Sequence, residues 1–173
     1  MINRVESTFK DLRGFYGRLD AHLQRTRPPR QEGSANACGT CLECCKYNFY
    51  LSRHEYDLIE AHLLETRGES PIRWVNCSTN IQDARRHRPF DPEYRCPLYD
   101  MEKGGCSVYE VRPLACRTLG PMLPCHSKLP DWCVYDQPKV YERAEEIPLW
   151  DQFLRIIHAH GGASRGYFEI RGC

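Results

Sequence analysis

The sequence of 173 residues carries 24 Lys or Arg and 23 Asp or Glu, which leaves a net charge of +1. So balanced a charge gives no general attraction to nucleic acid or acidic lipid, and no run of about 18 apolar residues is present to span a membrane. The length fits one core, and residues 1–35 lack the apolar stretch of a secretory signal peptide. We therefore expect a cytoplasmic protein with one core, in which 11 cysteines need an explanation.

The first predicted element is an amphipathic helix. Its apolar residues recur in steps of three and four, close to a heptad pattern, and they are Ile2, Val5, Phe9, Leu12, Tyr16, Leu19 and Leu23. Two interpretations of this stripe are open. It either docks on the protein's own core or forms a dimer interface through residues 2–23. Pro-rich sequence follows, so residues 1–30 are predicted to form an N-terminal helix and linker.

Four cysteines then fall in one short window, Cys38-Gly-Thr-Cys41-Leu-Glu-Cys44-Cys45. Gaps of two residues let successive thiolates converge on one point, as soft metals require. A disulfide scaffold is the main alternative, but the cysteine count is odd and adjacent cysteines pair with each other only under strain. The window is therefore predicted to be a metal-ligand loop. Because adjacent side chains diverge, Cys44 and Cys45 favour a site with more than one metal atom.

A second helix is predicted directly after this loop. Ser52-Arg-His-Glu55 has the pattern of a capping box, in which a hydroxyl and a carboxylate satisfy N–H groups at the start of a helix. Apolar residues from Tyr56 to Leu64 supply the buried face, and Gly68 supplies the end. Cys77 follows alone, and either a core role or a ligand role is open for it.

The third part of the chain carries further cysteines in a turn-rich setting. Glu102-Lys-Gly-Gly predicts a turn, so the stretch from Cys96 to Cys106 is expected to form a small hairpin that brings both thiols together.

Two arginines, Arg112 and Arg117, flank Cys116 in the segment that follows. One interpretation is that their guanidinium groups offset the negative charge of a thiolate cluster and hydrogen-bond its sulfurs. The other is that they form ordinary salt bridges with Glu110 or Asp100.

The C-terminal part is predicted to be helical, because Trp150, Leu154 and Ile157 repeat at helical spacing. His158 and His160 are two residues apart and therefore point in different directions on a helix. We interpret them as solvated or packing residues.

Together these elements predict a mostly α protein, a small irregular α+β fold with little strand and a loop-rich centre that metal organises. Residues 36–135 form the predicted cysteine-cluster domain. Residues 136–173 form a helical tail packed on it.

The cysteine string at 38–45, followed by Cys96-Pro-Leu and by Cys106-Ser-Val-Tyr-Glu-Val-Arg-Pro-Leu-Ala-Cys116-Arg, resembles the CxxCxxCC family of cysteine-cluster proteins. That family is described as zinc- or iron-chelating, its members are often labelled iron–sulfur-cluster-containing proteins, and a related cluster occurs in flagellin lysine methylases. The resemblance covers residues 38–125 and implies metal binding without implying one reaction. The ligands it implies are Cys38, Cys41, Cys44, Cys45, Cys96, Cys106 and Cys116, with Cys125 as an eighth. His126 and Cys133 are further candidates, and Cys173 is not expected to be a ligand.

This set of thiolates exceeds the four that one zinc ion or one [4Fe–4S] cluster takes. Three arrangements therefore stay open: one four-cysteine cluster with a separate zinc or structural role for the other cysteines, two four-cysteine sites, or a polynuclear zinc–thiolate cluster. Cysteines at two-residue gaps with a distant fourth are similar to ferredoxin ligation, and Pro97 directly after Cys96 supports that interpretation. We therefore expect an iron–sulfur cluster of the [4Fe–4S] type. Zn²⁺ is the alternative, because cysteines supplied from two distant segments also describe zinc ribbons.

Two functional hypotheses follow from the choice of metal. An iron–sulfur protein would act in electron transfer or as a redox accessory of a modifying enzyme, with a protein partner. A zinc-stabilised module would need metal to fold and would bind its partner through its surface.

Known catalytic and nucleotide-binding motifs do not help to choose between these hypotheses. The sequence has no nucleophile elbow, His-Glu-x-x-His, phosphate loop or dinucleotide fingerprint, so the question of enzymatic activity stays open. Arg85-Arg-His-Arg88 is the only basic run, and we interpret it as a solvated loop. No nucleic-acid partner is expected.

Overall fold

The computed structural model describes residues 2–26, 43–46, 51–76, 95–119, 147–160 and 165–170. Within these ranges the chain is mostly helical, with few and short strands. The α-helices are α1 (Ile2–Thr26), α2 (Arg53–Arg67), α3 (Leu114–Thr118) and α4 (Ile147–Ala159), and 3-10 helices lie at Glu43–Lys46 and Tyr109–Val111. The strands are β1 (Leu51–Ser52), β2 (Ile72–Asn76), β3 (Tyr99–Asp100), β4 (Gly105–Cys106) and β5 (Arg165–Ile170). The predicted fold class, a small irregular α+β fold with little strand, is confirmed.

Helix α1 buries its apolar stripe in the core of its own chain. The periodic positions Leu12, Tyr16, Leu19 and Leu23 are all buried, and Phe15 joins them. The helix packs against α2 and α4, where the rings of Phe15 and Phe153 lie 5.6 Å apart between centroids. Of the two interpretations left open by the sequence, this burial favours the docked helix.

Helix α2 begins and ends as its sequence predicts. The Ser52 hydroxyl accepts the backbone N–H of Glu55, while the Glu55 carboxylate accepts the backbone N–H of Ser52, which completes the capping box. At the other end Gly68 adopts a φ of 76°, and its N–H donates to the carbonyl of Leu64. A left-handed residue at this position is readily supplied by glycine.

A three-stranded antiparallel sheet covers one side of α2. Its strand order is β1-β5-β2, so the last strand of the chain lies between two early ones. Residues Ile72 to Asn76 pair with Ile170 to Gly166. The Tyr56 ring meets the Trp74 ring at 5.5 Å, and the Tyr56 hydroxyl donates to the carbonyl of Ile72. Strand β2 has no individual signal in the sequence, and β5 lies within residues 136–173, where the sequence predicts a helical tail. The two strands depend on a pairing that joins segments from opposite parts of the chain, which local patterns do not reveal.

One core connects the described elements. Its buried members come from α1, β1, α2, β2, the residues that flank β3 and β4, the second 3-10 helix, α3 and α4. In the described ranges, none of the helices combines the length and apolar character of a membrane span.

Candidate metal centre

The structure describes the side chains of four of the eight candidate ligands. Cys45 is buried, with 6% of its surface exposed, while Cys96, Cys106 and Cys116 are half-buried. Cys44 is described through its backbone alone, as a member of the first 3-10 helix. Outside the described residues lie Cys38, Cys41 and Cys125, together with Cys77, His126, Cys133 and Cys173.

A direct backbone contact joins the cysteine loop to the later cysteine segment. The N–H of Cys96 donates to the carbonyl of Cys45 at 2.9 Å. The 3-10 helix at Glu43–Lys46 places Cys45 at this contact. Two segments that are far apart in the chain, each carrying candidate thiol ligands, are therefore held side by side.

Cys96 and Cys106 belong to the predicted hairpin. Cys96 opens a β-turn in which its carbonyl accepts the N–H of Tyr99 at 3.0 Å, with Pro97 at the position that favours proline. Tyr99 then pairs directly with Cys106 across β3 and β4. Both cysteines pack against the apolar core. The hairpin thus sets the backbone positions of these two candidate ligands relative to each other.

The loop of this hairpin is built around Asp100 and Gly104. The Asp100 carboxylate accepts the backbone N–H groups of Glu102 at 3.1 Å and Lys103 at 3.0 Å. The N–H of Lys103 is the main reason why the pKa of Asp100 lies below its ordinary value, with contributions from Glu102, the Lys103 ammonium and Arg67. Gly104 takes a φ of 64°, which suits a residue without a Cβ.

Cys116 lies in the short helix α3, whose first turn is held by a carboxylate from another helix. The backbone N–H of Leu114 donates to Glu55 Oε1 at 2.8 Å. Thr118, also buried, closes the helix by donating its hydroxyl to the carbonyl of Leu114. A five-residue helix has little stability of its own, so α3 depends on contacts of this kind for its position.

Glu55 is the point at which three helices meet. Its side chain is 4% exposed. One carboxylate oxygen accepts the Tyr16 hydroxyl of α1 and the Leu114 N–H of α3, both at 2.8 Å. The other oxygen accepts the N–H and the hydroxyl of Ser52, at 2.8 and 3.0 Å. A buried carboxylate with four donors is well compensated for its loss of hydration.

Tyr16 is the residue of α1 that donates a hydrogen bond to Glu55. Burial raises the pKa of Tyr16 well above its ordinary value, and the neighbouring charges of Glu55 and Cys116 raise it further, while Arg117 opposes them. The phenol is therefore protonated at physiological pH and donates its hydrogen bond to Glu55.

Arg117 is the second buried charge of the site, with 3% of its surface exposed. Its guanidinium pairs with Asp20 of α1, lies over the face of the Tyr16 ring at 4.2 Å from the ring centroid, and donates to two backbone carbonyls. Those carbonyls belong to Glu110 and Arg112, so the arginine also ties down the second 3-10 helix. Arg112 lies over the ring of Tyr109 at 3.9 Å.

One of the two interpretations of the flanking arginines predicts ordinary salt bridges. Arg117 does form a salt bridge, but its partner is Asp20 rather than the carboxylate of Glu110 or Asp100. Asp100 instead lies near Arg67 and Lys103, at 3.7 and 4.0 Å. The sequence contains no local signal for the Arg117–Asp20 pair, because its members are 97 positions apart.

Among the described residues, no three His, Cys, Asp or Glu side chains are grouped so that they could hold a metal ion. The described geometry therefore brings candidate ligand segments together through their backbones.

His160, interpreted as a packing or solvated residue, lies 3.0 Å from Asp11 and meets the ring of His54.

Tyr16, Asp20 and Glu55 contact the segment that carries Cys116, and no motif in the sequence predicts that placement. In the sequence, Tyr16 belongs to an apolar stripe and Glu55 to a capping box, and neither pattern by itself indicates a contact with the Cys116 segment. A signal existed for Glu55, since it has a local capping role and lies on the buried face of α2. For Asp20 no comparable pattern is present.

The fold and the placement of its cysteines define a small, mostly helical protein with a cysteine-rich centre. The CxxCxxCC family, described as a putative zinc- or iron-chelating domain, matches residues 37–137. That match covers more than half of the chain, and the protein belongs to this family. The resemblance inferred from residues 38–125 is thereby confirmed. No curated protein and no solved structure gives a match to the chain.

Proposed function

We propose that this chain is an iron–sulfur protein in which the cysteine loop and the segment around the hairpin together hold the cluster. The observation that carries the proposal is the 2.9 Å hydrogen bond from the Cys96 N–H to the Cys45 carbonyl, which joins the two cysteine segments. The proposed ligands are drawn from Cys38, Cys41, Cys44, Cys45, Cys96, Cys106, Cys116 and Cys125.

The donor set supports a thiolate-bound metal. Cysteine sulfur is the ligand that iron–sulfur clusters and structural zinc sites share, and membership of a family described as zinc- or iron-chelating points the same way. Iron–sulfur is favoured by the two-residue gaps of the loop and by Cys96-Pro97. A thiolate site also suits the reducing cytoplasm, where we place the protein.

The proposed role is electron transfer, or a redox contribution to a modifying enzyme that is the protein partner. Partial exposure of Cys96, Cys106 and Cys116 supports this role, because a cluster must lie near the surface to exchange electrons with a partner. Zinc is the second candidate. It is favoured by the supply of Cys45 and Cys96 from two distant segments, an arrangement that zinc ribbons use.

Metal analysis of the full chain tests the choice directly. The protein is purified without oxygen, and iron, zinc, copper and acid-labile sulfide are measured per chain. Iron with matching sulfide and a visible charge-transfer absorption is the expected result. Zinc without sulfide would replace the iron–sulfur proposal by the zinc-stabilised module, and a metal-free folded protein would refute both.

A cysteine substitution tests the loop as a source of ligands. Cys41→Ser is expected to lower the metal content and the melting temperature together, because metal binding contributes directly to folding. Cys173→Ser is the matched control, since the terminal cysteine is predicted not to bind metal. If Cys41→Ser kept both the metal content and the melting temperature of the control, the loop would not be a ligand loop.

A further inference from the structure

Helix α1 lies outside the family match at residues 37–137, yet it contacts the segment that carries Cys116. Two of its side chains make this contact. Tyr16 donates to Glu55, and Asp20 pairs with Arg117. Because they are four positions apart, Tyr16 and Asp20 lie on the same face of α1.

The first link from α1 to Cys116 passes through Glu55. The same oxygen, Glu55 Oε1, accepts the Tyr16 hydroxyl and the N–H of Leu114, each at 2.8 Å. Leu114 is the first residue of α3 and stands two positions before Cys116. The Tyr16 hydroxyl therefore helps to orient the carboxylate that holds the first turn of α3.

The second link passes through Arg117, the residue directly after Cys116. Its buried guanidinium lies over the Tyr16 ring at 4.2 Å while it pairs with Asp20. The Tyr16 ring and the Asp20 carboxylate, both from α1, thus hold the C-terminal end of α3, while Glu55 holds its N-terminal end. Cys116 lies between these two attachment points.

We propose that Tyr16 is a positioning residue of the metal centre, which acts through Glu55 and Arg117 to fix the Cys116 thiol. This inference rests on the proposed function. Metal–sulfur bonds are short, about 2.3 Å, and tolerate deviations of only about 0.2 Å. A small displacement of α3 therefore weakens the bond to Cys116. By reciprocity, metal binding at Cys116 stabilises the docking of α1.

The test compares Tyr16→Phe with Tyr56→Phe in the full, metal-loaded chain. Both substitutions remove one hydroxyl that donates to a glutamate of α2. The Tyr16 hydroxyl donates to Glu55, while the Tyr56 hydroxyl shares its proton between Glu60 and the carbonyl of Ile72. Metal release to a chromophoric chelator is followed by absorbance. Tyr16→Phe is expected to release metal roughly fivefold faster, which corresponds to the loss of one hydrogen bond. Tyr56→Phe is expected to match the unsubstituted protein.

A second measurement distinguishes positioning from general loss of stability. Iodoacetamide modification of each cysteine is timed in the loaded protein by mass spectrometry of its peptides. We expect Tyr16→Phe to speed modification of Cys116 severalfold and to speed that of the buried Cys45, itself a candidate ligand, much less. Equal acceleration at both cysteines, or the same acceleration in Tyr56→Phe, would overturn the positioning role.

The two proposals fail in different ways. If the unsubstituted protein contains no metal, and chelator leaves its cysteine modification rates unchanged, the proposed function fails. If it contains metal but Tyr16→Phe changes neither metal release nor Cys116 modification, the metal centre stands and the role of Tyr16 is refuted.

Discussion

At the scale of single residues, the protein concentrates polar contacts on two buried charges. Glu55 accepts four donors from three parts of the chain, and Arg117 binds a carboxylate, two carbonyls and an aromatic face. Charges of this kind are costly to bury unless their hydrogen-bonding capacity is filled. Removal of either residue therefore leaves unsatisfied groups behind.

Glu55→Gln is predicted to destabilise the protein by about 2–3 kcal/mol, since one buried N–H loses its acceptor. Whichever way the amide is turned, its NH₂ group faces the N–H of Leu114 or that of Ser52, and neither can accept a hydrogen bond. Urea unfolding followed by circular dichroism measures the change. Glu60→Gln is the control, because its amide oxygen can still accept the Tyr56 hydroxyl, and it is expected to cost less than about 1 kcal/mol. Equal losses in the two variants would contradict the account of Glu55.

At the scale of elements, local sequence signals decide where helices start and stop. The capping box at Ser52 and the left-handed Gly68 bound α2. The hairpin of β3 and β4 depends on Asp100 and on Gly104 in the same local manner. By contrast, α3 has no side-chain cap of its own and takes its position from Glu55 and Arg117.

Two glycine substitutions are predicted to change stability in opposite directions. Gly68→Ala should cost about 1 kcal/mol, because an L residue is strained at a φ of 76°. Gly17→Ala, in the middle of α1, should stabilise by about 0.5–1 kcal/mol through its higher helix propensity. An added Cβ meets no atom within 4 Å at either position, so the difference isolates the backbone conformation. Thermal melts of both variants check this prediction, and a loss of stability in Gly17→Ala would contradict it.

At the scale of the whole molecule, the core draws on segments from both ends of the chain. Phe15 of α1 packs on Phe153 of α4, and both join the cluster that includes the hairpin residues Cys96 and Cys106. The division into an N-terminal helix, a cysteine domain and a tail remains a prediction. A shared core favours cooperative unfolding of all three.

Phe15→Ala is predicted to cost about 3–5 kcal/mol, as expected for removal of a fully buried aromatic ring. The loss should appear as one transition, in which helical signal and bound metal disappear together. Leu154→Ala on the exposed side of α4 is the control and should have little effect. Separate transitions for helix and metal would show that α1 does not share a cooperative unit with the cysteine centre.

The sequence by itself determined the elements whose signals are local: the helical periodicity of α1 and α4, the caps of α2, the turn of the hairpin, and the cysteine spacing that identifies the family. Such signals act within one or two turns of the chain, so they can be recognised in the sequence without knowledge of the fold. Only the tertiary structure decided the β2–β5 pairing, the Cys45–Cys96 contact and the network that joins Tyr16, Glu55 and Arg117. The hydrogen bonds of that network span 39, 59 and 97 positions. Contacts over such separations form because the global packing brings their partners together.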